Sequence, residues 1–410
     1  MSGRSGAGSS QGRRALRVAL LTNLLSPYRL PVYRDLAATP GWQLRVLVGA
    51  ESNRDWARAY AGAHARGSRE LDVEVVRSWS VRQRVATHRA GDAVQSVEIQ
   101  LPFGALGALR RFRPDVVVSG ELGARTALAA LYARLARVPL VIWSYQSRAW
   151  AAAASPARRA WRRALLARAG AVVGMGIQAR EVLRSLGVPE AKLFDAPNAH
   201  DHERLASALA HCDTAALRAV QHASLGCREH VALVAGRLVA SKGVRPLLAA
   251  WRALDPALRA EWTLLFVGDG PLRGEVEAAA ATATPGEIAC TGAVAADDMA
   301  DFYAGADLLV FPSLGDPWGL VVNEALACGV PVLCSALAGC AEDLVEPGEN
   351  GWRFDPLDAE GFRSALDTAL RCADRSRMGR NARDAAKRFA PEGMAEGFRR
   401  AVRHAARISG

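Results

Sequence analysis

The chain has 410 residues, half of them hydrophobic and 23% charged, with a formal net charge of +11. That composition excludes a disordered or fibrous chain and allows two or three domains with a sizeable core. No apolar run reaches the roughly 18 to 20 residues that a membrane-spanning helix needs. The 7 cysteines form no CxxC pair, which points to buried thiols in a reducing compartment rather than a disulfide or zinc framework.

Charge is unevenly spread. Residues 1–205 hold roughly 31 Lys and Arg against 15 Asp and Glu, and the remainder is slightly acidic. Aromatic residues do not interleave with the arginines as base-stacking platforms would, so the chain is not read as a nucleic-acid binder. An anionic membrane surface or a polyprenyl-diphosphate acceptor suits the basic half better, and a solvated Arg-rich surface is the plain alternative.

Residues 1–14 read as a Gly/Ser-rich leader. Arg13-Arg14 and the apolar residues behind them imitate a signal peptide, but Arg17 and Asn23 interrupt the run and no small-residue cleavage site follows. Residues 17–21 are therefore read as a first strand. The proline-marked loop behind it borders the ligand crevice of an open α/β sheet. Ser26, Tyr28 and Arg29 are thus candidates for ligand contacts, or Ser26 caps the helix that follows. Residues 42–48, 115–120, 140–144 and 171–174 are further short aliphatic runs, alternating with helical segments such as 124–136, the pattern of parallel βαβ units. Residues 51–92 are polar and poorly periodic.

Residues 206–229 read as a polar, helical connection. The pattern then restarts with an apolar run at 230–235, leading into Gly236-Arg237-Leu238-Val239-Ala240-Ser241-Lys242-Gly243. Two cations on such a turn can neutralise a diphosphate, and solvated charges before a helix are the plain alternative. The chain uses Arg nearly everywhere and Lys only at 192, 242 and 387. A compact ammonium at Lys242 suits a phosphate oxygen better than a planar fork does. Residues 263–267 form another strand, and Gly268 and Gly270 behind it permit close backbone approach to a ligand.

The densest stretch follows the apolar run 307–311. Gly315, Pro317 and Gly319 form a loop, a helix begins, Gly329 stops it, and a second strand starts at Pro331. This turn aims the N–H groups of Gly319, Leu320 and Val321, with the positive end of the helix, at one spot, which suits a diphosphate. Asp316 and Glu324 bracket it. A carboxylate facing a phosphate would be repelled, so sugar or ribose hydroxyls are its better partners. Residues 360–398 are amphipathic and helical.

Asp316, seven intervening residues and Glu324, with Gly319 between and Ala325-x-Ala327-x-Gly329-x-Pro331-Val332 behind, resemble the signature of the retaining nucleotide-sugar glycosyltransferases of family 4. Gly236-Arg237-Leu238-x-x-x-Lys242-Gly243 matches a second family motif at every fixed position. Ala338 to Val345 and Gly348-Glu349-Asn350-Gly351 follow the family's order. Pro197-Asn198-Ala199-His200-Asp201 partly matches its Pro-Asn-Gly-Val-Asp, and Ser26-Pro27-Tyr28-Arg29 is similar to one subgroup. The likeness is specific over residues 230–356 and looser over 15–205.

The resemblance implies an α/β GT-B fold: two Rossmann-like domains facing each other across a cleft. Residues 15–205 would be the acceptor domain and 206–385 the nucleotide-sugar donor domain, with 386–410 crossing back to the first. Arg237 and Lys242 would hold the diphosphate, Glu324 the ribose hydroxyls and Asp316 the sugar hydroxyls. Gly236, Gly268, Val294, Trp318, Gly319, Leu320 and Val321 would line the donor pocket. The family's first acid is normally Glu; Asp316 is one methylene shorter. Many members carry a His after the strand at 140–144, and here Tyr145 or Gln146 fills that acceptor-side space.

No Asp-x-Asp motif occurs, and Arg plus Lys can stand in for a metal, so metal-independent activity without a cofactor is expected. His200, Asp201 and His202 imitate a metal site but lack a third cluster to complete it. The expected reaction is glycosyl transfer, with retention, from a nucleotide sugar to a glycan or lipid-linked acceptor. The setting would be bacterial surface-polysaccharide assembly, in the cytoplasm or on the inner face of the plasma membrane. The alternatives are a nucleotide-sugar epimerase or phosphorylase on the same double fold, and a non-catalytic nucleotide-sugar-binding relative.

Overall fold

The computed structural model describes residues 14–49, 71–86, 94–201, 205, 207, 209 and 214–408. Residues 1–13 of the leader, most of the polar stretch 51–92 up to residue 70, His202 and most of 206–213 lie outside the described residues.

The N-terminal half builds one sheet from β1 (Leu16–Thr22), β2 (Trp42–Val48), β3 (Val73–Val75), β6 (Val116–Gly120), β7 (Leu140–Ser144), β8 (Ala171–Gly174) and β9 (Leu193–Asp195), with the hairpin β4 (Trp79–Ala86) and β5 (Val94–Leu101) beside it. The sheet order is β3-β2-β1-β6-β7-β8-β9, and every pairing is parallel. Strands buried on both faces need continuous apolar runs, and Val-Val-Val-Ser-Gly of β6 is buried throughout. Successive residues of β1 serve opposite cores. Val18 and Leu20 join α1 (Leu30–Ala37), while Ala19 and Leu21 join α2 (Ala105–Phe112) and α3 (Ala124–Ala136). The hairpin was not anticipated from the sequence. It is antiparallel, belongs to neither large sheet, and brings β5 to the turn at Ala240–Lys242.

The C-terminal half repeats the plan. Its strands are β10 (His230–Ala235), β11 (Trp262–Val267), β12 (Ile288–Gly292), β13 (Leu308–Phe311), β14 (Val332–Ser335) and β15 (Gly351–Phe354). Their order, β12-β11-β10-β13-β14-β15, reverses direction between β10 and β13 as the first sheet does between β1 and β6. An open parallel sheet binds ligands outside the carboxyl ends of its strands at that switch point. The fold therefore offers two candidate crevices, one per domain.

The helical residues 360–398 run through three helices, the last beginning at Pro391. The chain breaks after Leu370 and after Lys387 into α14 (Ala359–Leu370), α15 (Arg375–Lys387) and α16 (Pro391–Ile408); earlier in this half lie α7 (Thr214–Leu225) and α9 (Pro256–Glu261). Pro391 lacks an N–H and so begins a helix rather than continuing one. In α16, Met394, Ala395, Phe398, Ala401, Val402 and Ala405 recur at helical spacing, and all are buried against residues of β1, β6, β7 and β8. The Phe398 ring meets Trp143 edge-on at 5.9 Å. Truncating Phe398 to Ala would cost about 3–5 kcal/mol.

Two chain crossings join the halves, at residues 196–201 and 387–391, and the His200 N–H donates to the Phe389 carbonyl across them at 3.3 Å. Beside them, the Ile177 N–H at the start of α6 (Ile177–Ser185) donates to the Asp343 carboxylate at 3.0 Å. Gln178 Nε2 donates to the Ala336 and Ala338 carbonyls at 3.2 and 3.0 Å. Arg148, at the head of α4 (Arg148–Ala152), pairs with Glu342 of α13 (Ala341–Leu344). These contacts lie past the ends of β8 and β14, so the carboxyl edges of the two sheets face one another.

Candidate active site

At the C-terminal switch point, β10 and β13 run out side by side. Behind β10 comes a single 3-10 turn, Ala240–Lys242, then Gly243 at φ +70° and α8 (Val244–Arg252). Behind β13 comes Pro312-Ser313-Leu314. The two loops are stapled at one atom, because the Ser241 carbonyl accepts from the Leu314 N–H at 2.8 Å and the Ser313 hydroxyl at 3.2 Å. Ser313 Oγ in turn accepts the Asp316 N–H at 3.0 Å. This fixes Lys242 beside Asp316, and Lys242 Nζ forms an ion pair with Asp316 Oδ2, both side chains being half-buried. The other oxygen, Oδ1, accepts the Trp318 N–H at 3.0 Å. Lys242 Nζ also sits 5.3 Å from the centre of the Phe311 ring.

Arg237 is exposed on the same loop as Lys242 and makes no ion pair with a described residue. Gly319, at φ +112°, starts α12 (Leu320–Ala327). The N–H groups of Gly319, Leu320 and Val321 lie in the first turn, where a helix supplies no internal acceptor. Glu324, one turn along, is half-buried and held twice: the Tyr303 hydroxyl of α11 (Met299–Gly305) donates to Oε2 at 2.6 Å, and His200 Nε2 lies 3.0 Å from Oε1. A carboxylate has about four acceptor sites, so both bonds leave room for ribose hydroxyls.

Three expected donor contacts have structural duties. The Trp318 indole is buried at the domain seam, and its Nε1–H donates to Asn323 Oδ1 at 2.7 Å. Its side chain faces Gly176 of the other domain rather than an open pocket. Gly268, at φ +149°, makes its close approach to the Gly236 backbone: a Cβ there would strike the Gly236 carbonyl. Val294 follows β12 and packs on the core that includes Phe311 and Trp318.

On the N-terminal side, Ser26 is buried at the head of a 3-10 turn (Pro27–Arg29), and its side chain makes no capping bond. Arg29 is only 3% exposed. Its guanidinium carbon stands 4.6 Å from the Trp143 ring, 5.3 Å from Tyr28 and 5.5 Å from Tyr145, a cation wrapped in aromatic faces. Gln146 is buried, its Nε2 3.4 Å from Ser144 Oγ. Sequence reasoning missed Glu121 and Arg125 at this crevice, and the grip of His200 and Tyr303 on Glu324. Glu121 carries one usable signal: it is the first residue beyond a strand that borders the switch point.

Residues 25–199 match the family described as "Glycosyl transferase 4-like domain", and residues 229–372 the family "Glycosyl transferases group 1". A "GDP-mannose-dependent alpha-mannosyltransferase" of Mycolicibacterium smegmatis is 30% identical over 326 residues, 74% of this chain and 78% of that protein. The chain belongs to the group 1 glycosyltransferases. A protein of the same name from Corynebacterium glutamicum is 26% identical over 87% of this glycosyltransferase and 80% of its own length. Other relatives are matched more locally. The similarity to "Sulfoquinovosyl transferase SQD2" of Arabidopsis thaliana, 31% identical, covers 38% of the chain and 29% of that protein.

Among solved structures, Anabaena Alr3699/HepE in complex with UDP superposes with a TM-score of 0.70 at 18% identity, over 94% of this chain and 99% of that one. A sucrose-phosphate synthase from Thermosynechococcus elongatus gives 0.66 at 20% identity, over 95% and 98%. At such identities the likeness is one of fold, and it makes the glycosyltransferase a GT-B protein.

Proposed function

We propose that this glycosyltransferase moves a sugar from a nucleotide-sugar donor, bound on the C-terminal domain, to a hydroxyl of a glycan or polyprenyl-diphosphate-linked acceptor held by the N-terminal domain. The observation that carries the reading is the pairing of Lys242 with Asp316 at the C-terminal switch point, with the first turn of α12 beside it. Without a donor, the ammonium and carboxylate neutralise each other. With one, the ammonium meets a diphosphate oxygen and the carboxylate is released to a sugar hydroxyl. As the anomeric C–O bond breaks, negative charge grows on the departing diphosphate, and Lys242, Arg237 and the helix N–H groups stabilise it. Two cations do the work a metal would do, so the reaction needs none.

The UDP and UDP-glucose complexes of the HepE structures and the GDP-mannose dependence in the names of the mannosyltransferase relatives support donor binding of this kind. Retention at the anomeric carbon and a role in surface-polysaccharide assembly belong to the same reading. So does a cytoplasmic protein resting on the inner membrane face through its basic N-terminal half. Exposed Trp79, Val81 and Phe103 beside Arg77 suit such a surface, and no helix among the described residues is long and apolar enough to cross a membrane.

Thermal-shift screening against UDP-, GDP- and dTDP-sugars tests the donor half, since binding to the folded form raises Tm. Acceptor-dependent release of nucleoside diphosphate tests the transfer and separates it from epimerisation or phosphorolysis. A chain that binds no nucleotide sugar would sink the reading.

A further inference from the structure

Glu121 carries two costs at one position. Among the described residues, three non-glycine residues have positive φ: Arg113, Arg137 and Glu121. The first two terminate helices, where a left-handed residue is ordinary. Glu121, at φ +68°, terminates no helix. Its backbone is pinned from three sides. Its N–H donates to the Trp143 carbonyl at 2.8 Å, its carbonyl accepts from Thr126, and the preceding Gly120 carbonyl accepts from Arg125 Nη2 at 2.9 Å. The second cost lies in the side chain: Oε1 is shielded from solvent and has no hydrogen-bond partner among the described residues.

The surroundings make this unusual. Arg29 on the 3-10 turn, Arg125 on α3, Arg162 on α5 (Pro156–Leu166) and Tyr145 behind β7 all act electrostatically on or with Glu121. Yet no cation stands within ion-pair distance of its carboxylate among the described residues, and Arg29 Nε is likewise buried without a partner. Burial pushes the Glu121 carboxyl up to about 7 against the opposing pull of Arg125, Arg29 and Arg162. A strained backbone kept in place by its neighbours, with one unpartnered carboxylate oxygen at a switch point, is the kind of position that a ligand site uses.

We infer that Glu121 and Arg29 form an acceptor subsite that binds a sugar hydroxyl, the carboxyl group taking the hydroxyl's proton in a hydrogen bond while the guanidinium donates to its oxygen. A hydroxyl is both donor and acceptor, so it suits an acid and a guanidinium together. A phosphate or carboxylate would complete the arginine and be repelled by the acid. This rests on the N-terminal domain holding the acceptor, as proposed above.

The test uses the full chain, with E121Q, E121G and R29K beside the wild type. Saturation-transfer NMR with methyl α-D-mannopyranoside, methyl α-D-glucopyranoside and methyl β-D-galactopyranoside reads the subsite, and inorganic phosphate serves as the anionic probe. At least one glycoside is expected to bind the wild type and to bind E121Q and E121G about tenfold more weakly or worse. E121G is expected to melt higher than the wild type, because glycine relieves the strain and removes the shielded, unpartnered Oε1, a gain that a purely structural carboxylate would not give. Wild type ignoring all three glycosides, phosphate binding in their place, unchanged glycoside binding by E121Q, or a lower-melting E121G would each overturn the inference. The thermal shift with UDP- or GDP-sugars is read in parallel. Its loss in the wild type condemns the donor reading, whereas its persistence with failed glycoside arms condemns this subsite alone.

Discussion

His200 Nε2 and Glu324 Oε1 lie 3.0 Å apart, the imidazole coming from the chain that crosses between the domains and the carboxylate from α12 of the C-terminal domain. With the Tyr303 hydroxyl on the second oxygen, the carboxylate is oriented from both sides before any nucleotide arrives. Preorganisation of this kind lowers the ordering cost of binding.

Tyr303→Phe removes one orienting bond while leaving the ring that fills the core. The donor Kd should rise about tenfold, with a stability loss of about 1–2 kcal/mol. Calorimetric titration with whichever nucleotide sugar raises Tm most is the check, and an unchanged Kd would remove Glu324 from the donor site. His200→Ala should act in the same direction.

Lys242→Ala should lower turnover by about two to three orders of magnitude. Stability should move by about 1–2 kcal/mol, because the pair is partly buried and Asp316 keeps the Trp318 N–H when the ammonium is removed. Lys242→Arg should restore little, since a planar fork replaces a compact ammonium. Near-normal turnover in Lys242→Ala would count against the assignment.

Gly243 turns the chain at φ +70° against the Pro312 backbone, where a Cβ would run into the carbonyl oxygen. Gly243→Ala should therefore lose more than about 2 kcal/mol and misplace Lys242. Gly274, on α10 (Arg273–Thr282), has open space around it, and Gly274→Ala should stay within about 1 kcal/mol of wild type. Denaturant midpoints for the two variants decide between backbone crowding and a general intolerance of substitution.

Asp343 gives a pH signature. Burial raises its carboxyl from the ordinary 3.8 to about 6, despite the N–H donated by Ile177. Between those values the unfolded chain releases the proton first. Stability from this group is therefore complete below about pH 4 and declines as pH rises to about 6, by at most about 3 kcal/mol. Asp343→Asn should flatten that slope in Tm measured from pH 4 to 7. An unchanged slope would exclude Asp343 as its source.

Activity should survive EDTA if, as proposed, Arg237, Lys242 and the α12 N–H groups meet the diphosphate charge. Complete loss restored only by Mg or Mn would refute this.

The sequence by itself determined the alternation of strands and helices and the two loops that carry the family's motifs. Buried parallel strands need largely apolar runs, and β6, β7 and β11 are apolar but for Ser119, Ser144 and Thr263. Turns need glycine where φ is positive, which marked Gly243, Gly319 and Gly329. Only the tertiary structure decided which side chains meet. Lys242 and Asp316 are 74 residues apart and touch because the sheet order sets β13 beside β10. His200 and Glu324 meet because the chain crosses between domains where α12 begins. Trp318 went to the seam, against Gly176, because the carboxyl edges of the two sheets face one another. The strain and isolation of Glu121 arise from Trp143, Arg125 and Thr126 closing around one peptide. Local pattern encodes elements, because periodicity and backbone preference act over a few residues. The site is assembled by long-range packing, which no short window of sequence contains.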